Sequence, residues 1–378
     1  MKPHPQQRAT DAELIEALKT MSASQAAKHF GMNERTLYKR KAALARKGFS
    51  PEHGLREPYP DGFKMGKVTI QRNATGEIER TWERMCEDGD RQRELIQAAF
   101  DAMKDDLPKV DPVAAPGMTN DDLLAVYPLG DPHVGMLADN SETGGGHWDL
   151  KISERVHCAA MAALVDGAPA ATNALIINCG DFYHSDNLEG RTARSGHNLD
   201  LDGRYSKMIS VGVKVMRQCI DSALKKHKTV TIINSLGNHD DIGALWLTVT
   251  LSHAYENEPR VIINPSPSAF HYYEFGKVLI GVHHGHSCKA DRLAGVMATD
   301  QAQAWGRTDR RYFYLGHIHH QTVKECAGVT LETFNTLAAR DAWAASGGYR
   351  AQQNMKCIVH HKSHGEVMRF TVNAEMFK

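Results

Sequence analysis

Short apolar runs recur through the second two-thirds of the chain, and each stops at a polar cluster. Leu123–Leu129, Ala174–Cys179, Val230–Leu236, Val278–Val282 and Arg311–Leu315 have the length of buried strands and end directly at Gly, Asp or His groups. Helical periodicity fills the gaps at Ile152–Leu164, Tyr205–Lys226 and Ala244–Tyr255. Beyond the last cluster only strands are predicted, at Val329–Phe334, Met355–His360 and Val367–Val372, with His364-Gly365 turning the final pair. Chemistry-bearing loops at strand ends, above a sheet covered by helices, predict a layered α/β fold.

The first fifty residues follow a different period. Ala12, Leu14, Ile15 and Leu18 share a helical face; a second helix opens at Ser22 or Ser24 with Ala26, Ala27 and Phe30 inward. Gly31 supplies a left-handed turn, and a third helix over Glu34–Arg46 carries Leu37, Ala42, Leu44 and Ala45 on its apolar stripe. This is a helix-turn-helix pattern. Three segments are expected: a helix-turn-helix domain at 1–49, a linker at 50–122 and the α/β domain at 123–378. Within the linker, Lys67–Ile70 and Glu77–Trp82 predict a β-hairpin and Arg91–Lys104 a charged helix, with a Pro-rich connector at 106–120.

Composition narrows the possibilities unevenly. Of 378 residues, 42% are apolar and 24% charged, and 45 basic side chains balance 45 acidic ones, so global charge names no partner. The balance is uneven along the chain: residues 1–49 hold ten Lys and Arg against four acids, six positive charges net. Arg35, Lys39, Arg40 and Lys41 on the third helix are the candidate DNA contacts; a helical adaptor with a solvated basic face is the alternative. The seven cysteines are odd in number, widely spaced and without a C-x-x-C pair, which predicts reduced thiols. With neither an apolar leader nor a membrane-length apolar stretch, a cytoplasmic protein without membrane partners is expected, as a monomer or homo-oligomer.

Twenty-one histidines change the picture, because many stand beside Asp, Gly or another His at the predicted strand ends. Asp131 and His133, two apart after a strand, can face one cation; Asp181 offers two oxygens and can bridge two. Asn238 adds a neutral oxygen, His284 ends the fourth strand, and His317 and His319 flank Ile318 after the fifth, one for each ion. His283, His286 and His320 are further candidates. Each cluster alone is more often a cap or turn, but five in order after predicted strands point to a two-cation centre.

These residues, Asp131-Pro-His133, Gly180-Asp181, Gly237-Asn238-His239-Asp240, His284 and Gly316-His317-Ile318-His319, resemble the signature of the calcineurin-like metallophosphoesterase superfamily. The resemblance covers about Leu123 to the C-terminus. It implies a four-layer α/β/β/α sandwich holding two divalent ions, with manganese the first expectation and iron, zinc, nickel or magnesium the others. By position, Asp131, His133 and His319 bind the first ion, Asp181 bridges, and Asn238, His284 and His317 bind the second. His239 becomes the catalytic histidine that serves the leaving oxygen, with Asp240 orienting its ring, and a hydroxide held between the cations attacks phosphorus.

Gly180-Asp181-Phe182-Tyr183-His184 with Gly237–Asp240 is similar to the double-strand-break repair nucleases, which makes His184 a second catalytic histidine. Tyr183, Arg191, Arg194 and His286 are candidate substrate contacts, and Trp148, Trp246, Trp305 and Trp343 candidate base-stacking rings. The expected function is phosphodiester hydrolysis, with DNA as substrate and nucleic acid as partner. Cyclic-nucleotide or other small-molecule phosphodiesterase, phosphoprotein phosphatase and a non-catalytic DNA-binding regulator are the alternatives. A helix-turn-helix fused to this layout also resembles proteins of bacteriophages and prophages, which would place it in a bacterial host's cytoplasm.

Overall fold

A computed structural model describes residues 9–46, 49, 63–73, 75, 77–87, 109–192 and 196–377. Contacts divide the chain into two units, Met1–Lys104 and Asp105–Lys378. The expected helix over Arg91–Lys104 lies outside the described residues.

In the first unit, α1 (Asp11–Thr20), α2 (Ala23–His29) and α3 (Glu34–Arg46) bury Leu14, Leu18, Ala26, Ala27, Leu37 and Leu44 around Phe49. Thr10 and Ser22 each close a capping box, with Glu13 and Gln25, which settles the start of α2 at Ser22. Gly31 takes φ +60° between α2 and α3, and the Asn33 side chain accepts the Arg35 amide to start α3. Ala12 and Ala42, expected inward, are exposed: helical spacing placed them on the stripe's edge, and the larger Leu side chains fill the core. β1 (Phe63–Arg72) and β2 (Ile78–Glu87) form the antiparallel hairpin, longer than its apolar pattern showed.

The second unit is two stacked sheets. Its elements run β3 (Asn120–Leu129), α4 (Leu150–Gly167), β4 (Ala171–Asn178), α5 (Tyr205–Leu224), β5 (Thr229–Asn234), α6 (Asp241–Ala254), β6 (Val261–Ile263), β7 (His271–Phe275) and β8 (Val278–His283), then α7 (Leu293–Asp300), α8 (Ala302–Arg307), β9 (Arg310–Leu315), β10 (Thr322–Cys326), β11 (Val329–Thr333), β12 (Asn354–His361) and β13 (Gly365–Asn373). One sheet has the order β13-β12-β3-β4-β5-β6 and the other β10-β11-β9-β8-β7. Strands β3 to β6 are mutually parallel, as are β8, β9 and β11. A one-turn helix at Ala342–Ser346 interrupts the stretch expected to hold strands alone.

The period-two alternation explains the layers. Leu124 and Val126 of β3, Leu175 and Ile177 of β4, and Val278, Ile280 and Val282 of β8 belong to one core cluster between the sheets. Leu279, Phe313, Leu315 and Leu331 point the other way, onto α7 and α8. Helices α4, α5 and α6 pack on the six-stranded sheet. Strands buried on both faces carry continuous apolar runs, which is why the five runs were visible in sequence. The Pro-rich segment is tied to this unit: Val110 donates to the Ala254 carbonyl at 2.8 Å and Val113 to the buried Glu258 at 2.8 Å.

Among the described residues, six cysteines are free thiols, and no helix is long and apolar enough to cross a membrane.

Candidate metal centre

Parallel strands β3, β4 and β5 of one sheet and β8 and β9 of the other all deliver their C-terminal ends to one place. Asp131 and His133 follow β3, Asp181 follows β4, Asn238 and His239 follow β5, His284 follows β8, and His317 and His319 follow β9. The loops that carry them are strained. Six non-glycine residues among those described have positive φ, and five are Asp131 (43°), His133 (43°), Asp181 (51°), His317 (73°) and His319 (55°). An L-residue in that region costs on the order of 1 kcal/mol or more, and such strain clusters at functional sites. The tight turns make adjacent residues converge, so Asp131, His133 and His319 place a donor atom each within 4.8 Å of one another, as do Asp181, His284 and His317.

Contacts within each group set the donor geometry. Nε2 of His133 lies 3.0 Å from Nε2 of His319, which is 3.6 Å from Asp131 Oδ1. In the second group His284 Nε2 lies 3.1 Å from Asp181 Oδ2 and 3.0 Å from Asn238 Oδ1, while its Nδ1 donates to the Cys179 carbonyl at 2.9 Å. That last bond leaves Nε2 facing the site. His283 turns away: its Nδ1 accepts the Gly285 amide and its ring stacks on Phe270. His286 flanks the second group, its ring 5.3 Å from that of His284, and His320 is exposed.

The motif glycines make room for the partner loops. A Cβ on Gly237 would lie 2.1 Å from both the amide nitrogen and Oδ1 of Asp181; one on Gly180 would meet the His284 ring at 2.5 Å.

Burial sets the protonation of the site without cations. His133, surrounded by His319, His239 and His184, is driven well below the ordinary imidazole range, chiefly by burial. Burial likewise lowers His319 to about 4 and, with Asp181 nearby, raises Asp131 to about 7. Burial opposes charge on His284 as well, but Asp181 and Asp131 more than offset it and raise His284 to about 10, while His284 holds Asp181 well below its usual value. His133, His317 and His319 are thus neutral imidazoles, while His284 would have to release its Nε2 proton to bind a cation. Imidazoles and carboxylates within a few ångströms, with the Asn238 oxygen as a further donor, fit borderline divalent cations.

The two predicted catalytic histidines flank the first group. The rings of His184 and His239 stack at 5.4 Å with 19° between planes, and His239 Nδ1 donates to the His184 carbonyl at 2.9 Å. Asp240, expected to orient the His239 ring, instead accepts the backbone amides of Asp181, Gly237 and Tyr183, each at 3.1 Å, and so binds the second and third loops together.

Other expected contacts are relocated. Tyr183 is fully buried against Gly212 of α5, where an added Cβ would approach its ring to 2.2 Å, so it is core and not a substrate contact. Arg191 is exposed and bonds Asn198 within its own loop at 3.0 Å, and Arg194 lies outside the described residues. On α3, Arg35 and Lys39 are exposed and Lys41 half-buried, but Arg40 donates to Asp11 at 2.5 Å and to the Ala9 carbonyl at 2.7 Å, which pins α3 to the start of α1. Trp148 is buried and Trp246 half-buried, and Arg311 covers Trp305. Sequence reasoning missed Asp186, a buried carboxylate that accepts the Ile242 and Gly243 amides at the start of α6, 2.6 and 2.7 Å away. Its position five residues past Asp181 was the available signal.

No family model and no curated protein matches the sequence. Solved structures do. An archaeal phosphodiesterase aligns with 66% of this chain and 99% of its own at 14% identity and a TM-score of 0.34. YfcE, a phosphoesterase from E. coli, aligns with 66% of this chain and all 100% of its own at 11% identity and a TM-score of 0.30. Vps29 of Entamoeba histolytica complexed with zinc covers 66% of this chain and 99% of its own, at 12% identity and 0.26. With TM-scores this low, the functional reading rests on the geometry of the site.

Proposed function

We propose that this chain is a dinuclear-metal phosphodiesterase acting on DNA. What carries the reading is the pairing of two donor groups on strained loops: Asp131, His133 and His319 for one cation, and Asp181, His284 and His317 with Asn238 for the other. Asp181, in the second group, would be the carboxylate shared with the first. Two divalent ions held there, manganese first among the candidates, would lower the pKa of a bound water and neutralise charge on the phosphoryl oxygens.

The chain's own groups orient and exchange protons. His239 is half-exposed at the mouth of the site, and its Nδ1–H is held by the His184 carbonyl, so Nε2 is the atom left to hydrogen-bond the departing oxygen. His184, buried behind it, packs against that ring and against His133 rather than facing solvent. DNA as the substrate is supported by the basic first fifty residues, read as a helix-turn-helix that binds phosphates through Arg35, Lys39 and Lys41, and by the Phe182-Tyr183-His184 motif.

The test is manganese-loaded protein presented with single- and double-stranded DNA, bis-p-nitrophenyl phosphate and p-nitrophenyl phosphate. Cleavage of DNA and of the diester is expected. Diester cleavage without DNA cleavage would leave a small-molecule phosphodiesterase; monoester turnover alone, a phosphatase; no turnover with metal bound, a DNA-binding regulator. Substituting Ala for His239 should remove at least about a hundredfold of the rate with metal content unchanged.

A further inference from the structure

Of the tryptophans first considered as base-stacking rings, one stands in the open. Trp343 is 64% exposed and Tyr349 48% exposed, and their rings stack at 5.4 Å with 18° between planes. The stack is built by its turn. Asp341 caps the one-turn helix Ala342–Ser346 by accepting the Ala344 amide, and the chain reverses so that the Tyr349 amide reaches the Ala344 carbonyl at 3.0 Å. Gly348 takes φ +79°, and at Gly347 any Cβ would stand 2.7 Å from the Tyr349 ring. Arg350 then closes the turn onto the carbonyls of Ala345 and Tyr349 at 3.2 and 2.8 Å.

The same segment begins at the metal centre. Thr336 bridges to Gly130 and its hydroxyl donates to the Asp131 carbonyl at 2.6 Å; Arg340, four residues on, donates to the Gly144 carbonyl. The ring pair is therefore anchored through one short, hydrogen-bonded stretch to the loop that carries Asp131 and His133. It has a guanidinium on each side of it in sequence, Arg340 and Arg350, against the single acid Asp341, so the segment keeps a net positive charge although all three side chains also bond the backbone.

We propose that Trp343, backed by Tyr349, is a stacking platform for an unpaired base of a nucleic-acid strand whose scissile phosphate lies at the metal centre. Tyr349 covers one face of the indole and holds it flat; the other face takes the base, and the two arginines favour the strand's phosphates. The inference rests on the DNA reading above and narrows it to single-stranded or locally opened substrate.

The experiment uses the full chain with manganese, end-labelled single-stranded oligonucleotides with one abasic position moved along the strand, and bis-p-nitrophenyl phosphate in parallel. Trp343→Ala should lower kcat/KM on the intact strand about tenfold, mostly through KM, and leave the small diester unchanged; Trp343→Phe should keep most of the activity. Wild type should lose a similar factor when one particular base is missing, and W343A should be indifferent to that loss. Equal cleavage of oligonucleotide by wild type and W343A, or an abasic penalty that W343A retains, overturns the platform while leaving the phosphodiesterase in place. Wild type that hydrolyses the small diester and neither binds nor cuts oligonucleotide overturns the DNA reading itself.

Discussion

His133 and His184 face each other through their Nδ1 atoms, 3.0 Å apart. Only one of the two can carry the proton. Nε2 of His133 is turned toward His319, so a cation bound there requires Nδ1–H on His133, donating into the bare Nδ1 of His184. Replacing His184 with Ala should weaken the first cation roughly 10- to 100-fold and leave the second site near its wild-type affinity. Calorimetric titration with manganese measures both, and two unchanged affinities would show that this contact does no orienting.

Gly237 should tolerate no side chain. In Gly237→Ala the new methyl would sit 2.1 Å from backbone and carboxylate atoms of Asp181, neither of which is the free end of a flexible side chain. The loop must move, and Asp181 with it. Bound metal, measured by elemental analysis after gel filtration, should drop below one ion per chain. Retention of two ions would refute this placement.

Arg369 of β13 joins Glu332 of β11 by two bonds, at 2.5 and 2.8 Å, and Glu366 by two more at 2.8 Å, so it ties an outer strand of one sheet to the other sheet. Glu332 is almost fully buried. Arg369→Ala leaves that carboxylate without its counter-charge, at about 3 to 5 kcal/mol of unfolding free energy, readable by urea denaturation. Replacing both Arg369 and Glu332 with apolar residues of similar volume should recover most of the loss.

Three histidines away from the metal centre predict the acid limit of stability. Burial lowers His157 and His227 to about 4 and His360 to about 3. The rings are neutral in the folded chain and protonate near 6.5 once unfolded, so the unfolded state binds more protons between those values. Their contribution is present above pH 6.5 and is lost as the pH falls toward 4. Urea unfolding at pH 7, 6 and 5 should show stability falling with acidity, and His227→Gln, which keeps a polar group near the Tyr127 hydroxyl, should make that fall shallower. An identical slope in the variant would remove His227 from the account.

What could be read from the chain follows from what each residue depends on. The apolar runs of β3, β4, β5, β8 and β9 were legible because strands buried on both faces need nothing else to explain them, and the donor clusters were legible because they follow those runs directly. Strands β6, β7 and β10 were not: they are short, lie at or near sheet edges and are partly exposed, so no apolar run marks them. Tyr183 looked like a substrate contact because it is two residues from Asp181, but its place is decided by Gly212, which is distant in sequence and leaves the hollow it fills. Arg40 was a candidate phosphate contact as one of the basic residues of α3, and the structure pairs it with Asp11, a partner that the sequence spacing did not show. Asp240 lost its expected task to three amides that only the folded loops bring together.

The donors come from both sheets: Asp131, His133, Asp181 and Asn238 from the six-stranded one, His284, His317 and His319 from the five-stranded one. Cations held there would cross-link the two sheets at the strand ends, beyond a largely apolar seam that has its own polar ties in Arg369–Glu332 and Tyr314–His360. A slip of one sheet along the other by a single residue is about 3.3 Å, several times the roughly 0.5 Å that a reactive arrangement tolerates. On the phosphodiesterase reading, turnover would report the alignment of the two halves, and ligand substitutions on either side should be felt as looser stacking of strands well away from the site.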